Sequence, residues 1–192
     1  MAKFESLPGH ARMRDLLMRF PEHGAVLMGI AEQFLRRSSE LTHAQKEILF
    51  AYSSAVNACD FCHVSHKYTA SELGVDEDDF DRIVADVDTA PVDDALKPMI
   101  RYVRKLTADP SGMTGDDVAR VREAGWSEDA IFDAICICGF ANLMNRVVDA
   151  VGLVGTEDEH RESGYRLATL GYDATMAKAL EALTAQSRLA PG

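Results

Sequence analysis

The residues best suited to chemistry lie in one stretch of eight, Cys59-Asp60-Phe61-Cys62-His63-Val64-Ser65-His66. On a helix, Cys59 and Cys62 are three apart and Cys62 and His66 four apart, intervals that bring side chains to one face. Cys59 and His63 are also four apart, and Phe61 points away toward the core. Two thiols so spaced near a helix start can close a disulfide by side-chain rotation. The helix amino terminus and a neighbouring imidazole both favour a thiolate. A thiolate attacks a peroxide oxygen or another disulfide. A sulfenic acid on one Cys is trapped by the other before it oxidises further. A reductant then reopens the disulfide. The stretch therefore holds the parts of a redox cycle that requires no metal and no bound organic cofactor.

Glu47 lies twelve residues before Cys59. From the partner arm of a helical hairpin it can hydrogen-bond His66, directly or through water, and tune its basicity. Two other readings of the stretch stay open. Cys-x-x-Cys with two His supplies four nitrogen and sulfur ligands, a plausible zinc count, but structural zinc usually joins two separated segments and these four share one. The pair can also be structurally inert. His63 stands between a helper of the site and a solvated surface residue.

Other polar and sulfur residues read differently. Cys136 and Cys138 are two apart, about 200° around a helix, so they can neither pair nor chelate together, and both read as core. His10, His23, His43 and His160 show no partner pattern and read as surface. Asn142, Asn145 and Arg146 interrupt an apolar helix and need partners on another helix or subunit, or a role in binding. The methionines at 13, 18, 28, 99, 144 and 176 read as core filling. Asp76 to Asp81 reads as a solvated acidic face.

The elements that must hold these residues are helices throughout, with no period-two strand pattern and no repeat. Leu27, Ile30, Ala31 and Phe34 form a stripe behind Pro21, which suits a first helical turn. Thr42 with Gln45 predicts a capping box opening a helix to about Asn57. The next helix starts near Cys59 or Asp60 and stops at Gly74. A short acidic helix follows from Asp76 to Phe80. Val92, Leu96, Met99, Val103 and Leu106 make an amphipathic helix ended by Pro110 and Gly112. Thr114 to Glu123 forms another, closed by Gly125. Ser127 caps a long buried helix through about Ala150. Gly152 to Gly164 reads as a polar connection. Asp173 then caps a last helix bearing Met176, Leu180 and Leu183, an arm suited to packing on another subunit. The expected architecture is an all-α single globular unit: amino-terminal helices over 1–40, a core over 41–153, and a carboxy-terminal arm over 154–192.

The combination of Glu47, Cys59, Cys62 and His66 resembles the alkylhydroperoxidase D family of the carboxymuconolactone decarboxylase superfamily. Leu106-Thr107-Ala108-Asp109-Pro110, Ala124-Gly125-Trp126-Ser127 and Asn145-Arg146 look like its peroxidase-related branch. The resemblance spans roughly Leu41 to Leu153. It implies hydroperoxide reduction through the Cys pair, recharged by a dithiol such as a lipoyl group or a thioredoxin-like protein, and homo-oligomers, commonly trimers or hexamers. By the family's pattern Cys62 attacks the peroxide, Cys59 resolves, and His66, linked to Glu47, is the base. Helix-terminus reasoning alone makes Cys59 the more acidic thiol. The best-known members carry a His immediately before the second Cys, where this chain has Phe61. His63 is displaced by about 100° around the helix and is not a simple replacement. The decarboxylase branch does not use this Cys pair.

The chain has 192 residues, with 20 Lys and Arg against 31 Asp and Glu, a net charge of −11. That sign repels nucleic acid and anionic membranes. The most apolar stretch, Ala134 to Met144, is about half of the ~20 residues a spanning helix needs. The amino terminus shows no signal-peptide pattern, and the expected location is cytoplasmic. The sequence thus reads as a cytoplasmic hydroperoxide reductase cycling a Cys59–Cys62 dithiol. The alternatives are a non-catalytic oligomeric redox sensor or binding protein of the same fold, and a zinc-stabilised protein.

Overall fold

The computed structural model describes residues 1–189, with the side chains of Met176 and of 179–189 outside the description. Its described residues form helices and connecting turns with no strand. In chain order the helices are α1 (Met13–Arg19), α2 (Pro21–Leu35), α3 (His43–Val56), α4 (Asp60–Glu72), α5 (Glu77–Ala85), α6 (Leu96–Ala108), α7 (Gly115–Glu123), α8 (Glu128–Val151) and α9 (Glu157–Leu189). A 3₁₀ turn at Pro110–Gly112 separates α6 from α7.

Local chemistry sets most boundaries. Thr42 and Gln45 make the reciprocal capping box that starts α3. Asp76 accepts from the backbone of Asp78 and Asp79 and starts α5, one residue later than expected and running further, to Ala85. Ser127 caps α8, and Gly152 in the left-handed conformation ends it. α6 begins at Leu96, so Val92 stands outside it.

α3 and α4 form a tight antiparallel hairpin, α8 lies against α3, and α9 runs along α4. The core fills the space between them, with Leu49, Phe50, Met99, Ile100, Ile137 and Ala141 almost wholly buried. α8 is long and apolar enough, by length and composition, to cross a membrane, a longer run than Ala134 to Met144. Half of that span is buried. Its outer face exposes Phe132 and Leu143, and Cys136 lies half-buried on the same face, not in the core.

The carboxy-terminal region departs most from expectation. The connection is only 152–156, because Thr156 and Glu159 make a second reciprocal capping box that starts α9. Gly164 is a packing glycine rather than a loop glycine: a Cβ there would stand 2.8 Å from the Tyr68 carbonyl carbon. α9 therefore lies directly on the α4 backbone. At Gly171 (φ 78°, ψ −176°) the helix kinks. Glu32 of α2, not Asp173, caps the segment beyond, accepting from the backbone N–H of Tyr172 (2.7 Å) and Asp173 (3.3 Å). The side chains of Met176, Leu180 and Leu183 lie outside the described residues.

Candidate functional site

The α3–α4 turn delivers Cys59. The Cys59 N–H bonds to the Ser54 carbonyl at 3.0 Å, the reach-back bond of a left-handed helix stop. The left-handed residue is Ala58, φ 54°, where glycine is usual. This conformation is unfavourable for a residue with a Cβ, and it sits beside the Cys59 thiol. Cys59 is the N-cap of α4, and Cys62 lies one turn in. Both thiols are free, and both are buried. They differ in access: Cys62 lines a cavity of about 370 Å³, whereas Cys59 lies behind it and is not part of the wall.

The two sulfurs share one ionisation. A hydrogen bond from the Cys62 thiol lowers the pKa of Cys59. Donating that bond, together with burial, raises Cys62. The negative charge of the pair thus rests first on Cys59, as its helix-terminal position suggests. α8 closes the far side. The Asn145 side-chain amide donates to Ser54 Oγ at 2.9 Å, and its Oδ1 accepts from Asn57 at 2.8 Å. The Asn145 side chain lowers the Cys62 thiol, against the rise that burial imposes. Asn142 and Asn145 therefore bridge α8 to the hairpin turn.

Glu47 and His66 meet across the hairpin, with Glu47 Oε2 2.5 Å from His66 Nδ1. Glu47 is fully buried, and two residues that sequence spacing did not reveal complete its surroundings. Arg36, at the end of α2, places Nη1 2.7 Å from Glu47 Oε1. The Tyr172 hydroxyl donates to the same oxygen at 2.9 Å. Burial alone would raise the Glu47 carboxyl, but His66, Arg36 and Tyr172 together hold it below its usual value. Burial pushes the Tyr172 phenol well up, so it remains a donor. Phe50 stacks on the His66 ring at 3.7 Å. With Nδ1 engaged, the ring presents Nε2 as its free nitrogen in the wall of the cavity.

His63 turns elsewhere. Its Nδ1 lies 3.2 Å from the Ala51 carbonyl, and its ring packs near Phe80. His63 and His66 are thus committed to different partners, and among the described residues no cluster of three or more His, Cys, Asp or Glu is placed to hold a metal ion. Phe61 is half-buried against α9, its ring edge-on to His160 at 4.9 Å. His160 is buried, not a surface residue, and burial lowers its pKa. Both rings line the cavity. The reason is the early start of α9, which turns its first turns onto α4. The Thr156–Glu159 capping box was the sequence signal for that start.

No family model matches the chain, and no curated protein matches it in sequence. Solved structures do match it in shape. One is an uncharacterized peroxidase-related protein from Silicibacter sp. TM1040, at TM-score 0.70 and 22% identity over 76% of this chain and 78% of that one. Another is described as an alkylhydroperoxidase AhpD core, an uncharacterized peroxidase-related protein from Ralstonia eutropha JMP134. It matches at TM-score 0.70 and 20% identity over 79% of each chain. At these identities the likeness is one of fold, and the chain has the all-α, alkylhydroperoxidase D-like helical fold with a Cys-x-x-Cys pair at its central hairpin.

Proposed function

We propose that this protein is a thiol-dependent hydroperoxide reductase of the alkylhydroperoxidase D type, cycling Cys59 and Cys62 between dithiol and disulfide. The observation that carries the reading is the division of labour in the pair: one sulfur faces a cavity beside an oriented imidazole, and the other, more acidic, lies behind it.

Cys62 attacks because it is the sulfur that a peroxide can reach. His66, held by Glu47, takes the Cys62 proton through Nε2. The Cys62 sulfur attacks the terminal peroxide oxygen, the O–O bond breaks, and the proton passes to the departing oxygen as alcohol or water. Cys62 is then a sulfenic acid. The Cys59 sulfur condenses with it, releasing water and forming the disulfide. A dithiol, lipoyl or thioredoxin-like, enters by the cavity and attacks the Cys62 sulfur. Cys59 leaves, and a low pKa suits a leaving thiolate. The second thiol of the reductant releases the mixed disulfide at Cys62 and becomes oxidised itself. Glu47, Arg36 and Tyr172 act by fixing the tautomer and orientation of His66.

The test is disulfide mapping. Fully reduced protein receives one equivalent of cumene hydroperoxide and a rapid alkylating quench. The expected product is a Cys59–Cys62 disulfide within seconds, followed by repeated turnover when dihydrolipoamide is supplied. Thiols that stay reduced and alkylatable overturn the reading. A single oxidation with no turnover under any dithiol favours the sensor, a reading that Phe61 in the place of the family His keeps in view.

A further inference from the structure

The cavity beside Cys62 is graded from apolar depth to charged mouth. Its volume of about 370 Å³ falls within the range of small-molecule pockets. Leu17, Met28, Phe50, Phe140 and Met144 supply apolar wall and are all buried. The mouth carries four cations and two anions: Arg12, Arg14, Arg166 and Lys178 against Glu159 and Glu162. Arg12 pairs with Glu159 at 3.2 Å and Arg166 with Glu162 at 2.9 Å. Arg14 and Lys178 have no ion-pair or hydrogen-bond partner among the described residues, and both are exposed. Among the described residues, a chain of net charge −11 thus presents a surplus of two positive charges at this one opening. Elsewhere its field repels anions. Here the surplus positive charge at the mouth draws them in.

We propose that the hydroperoxide this site takes is an amphipathic carboxylate, an acyl-chain hydroperoxide whose chain lies along the apolar wall and whose carboxylate meets Arg14 and Lys178. The inference rests on the proposed peroxide chemistry for its reacting group, but the binding preference is independent of it. The carboxylate stays outside in water, where two exposed cations orient it without a buried charge. The chain excludes water from around Cys62 and His66. A neutral peroxide of the same length fills the same wall and leaves the two cations unmet.

The test compares decanoate with decanol, its neutral counterpart, by calorimetric titration of the reduced protein at low salt. The expected result is tighter binding of decanoate by roughly three- to ten-fold, the range two solvent-exposed charge contacts support. The preference should fade as salt rises, and bound decanoate should slow alkylation of Cys62. Arg14→Gln combined with Lys178→Gln should bring the two ligands level. Both side chains are exposed and have no partner among the described residues, so circular dichroism should show the fold retained. Equal binding of the two ligands by the wild-type protein, or tighter binding of decanol, overturns the inference. If cumene hydroperoxide oxidises the Cys pair yet decanoate shows no preference, the substrate class falls and the peroxidase reading stands. If decanoate binds as expected while peroxide leaves Cys62 reduced, the anion site stands and the peroxidase reading falls.

Discussion

The molecule carries two cysteine pairs, and their contrast shows what surroundings separate a thiol suited to chemistry from one that is not. Cys59 and Cys62 straddle a helix start, three residues apart, with their sulfurs in one hydrogen bond and one of them open to a cavity. Cys136 and Cys138 lie in the middle of α8, two residues apart and about 200° around it. Cys138 faces Thr107 Oγ1 at 3.2 Å in the core, and Cys136 faces outward beside apolar side chains. Burial raises the pKa of both, with no opposing positive charge. Neither lines the cavity that Cys62 and His66 share. The difference is spacing, helix position and access, not residue type.

The strongest way to break the contrast is to remove a sulfur from the first pair. On the proposed chemistry, Cys62→Ser should abolish peroxide turnover, a loss on the order of a thousand-fold or more, since the covalent step disappears. Cys59→Ser should instead consume one equivalent of peroxide and stop. Its Cys62 sulfenic acid should then be captured by dimedone and seen by mass spectrometry. Should Cys59→Ser turn over while Cys62→Ser traps the sulfenic acid on Cys59, the roles are reversed and access does not select the nucleophile.

The next largest effect should come from Glu47, which has no counterpart near the second pair. Glu47→Gln removes the charge that Arg36 and His66 face in a buried position. Breaking such a pair costs about 3–5 kcal/mol, because the partner charge is left uncompensated. Turnover should fall as well, since His66 loses its orienting partner. The pH dependence has a definite sign. The folded Glu47 pKa lies below its unfolded value of about 4.3. Its contribution is therefore complete above that value and is lost as pH falls through the depressed folded pKa. Urea midpoints of wild type and Glu47→Gln should differ most near neutral pH and converge in acid. A gap that persists unchanged in acid would mean the Gln variant fails through packing, not charge.

How much of this was visible in the sequence follows from the range of each contact. Glu47, Cys59, Cys62 and His66 lie within one hairpin, so helical spacing and a single reversal already predict their approach. The capping boxes at Thr42 and Thr156 are equally local, but the second is masked by Gly152, Gly155 and Gly164, which read as a loop. Gly164 belongs inside a helix for a reason no local pattern contains, the backbone of Tyr68. Arg36 and Tyr172 reach Glu47 only when α2 and α9 have packed on the hairpin, and nothing in their own neighbourhoods marks them. The sequence did pose the question they answer: a carboxylate placed in a core requires cations and donors from somewhere.

Gly164 makes that long-range dependence testable at a smaller scale. Gly164→Ala would push a methyl against the α4 backbone, and overpacking of this kind costs about 1–3 kcal/mol. α9 should shift away from α4, lengthening the Tyr172–Glu47 contact eight residues on. The expected outcome is a modest fall in the urea midpoint together with slower peroxide turnover, while Tyr172→Phe slows turnover with the α9 packing intact. Loss of stability with unchanged turnover would place Tyr172 outside the machinery that orients His66.

The smallest effects should come from the second cysteine pair, and they complete the contrast. Cys138→Ala removes one buried sulfur and its contact with Thr107, for a stability loss of about 1–2 kcal/mol. Cys136→Ser changes a half-exposed side chain and should shift stability by less than about 0.5 kcal/mol. Neither should alter peroxide turnover more than about twofold, since neither lines the cavity that holds Cys62 and His66. Alkylation provides the sharper reading. In the folded, reduced protein Cys62 should react first because His66, which lines the same cavity, serves as its base, Cys136 more slowly because no imidazole lies beside it to take its proton, and Cys138 only on unfolding. If Cys136 were modified faster than Cys62, the cavity and the neighbouring imidazole would not be the properties that separate the two pairs. The chemistry would then have to be sought on the outer face of α8, with Phe132 and Leu143 as its neighbours.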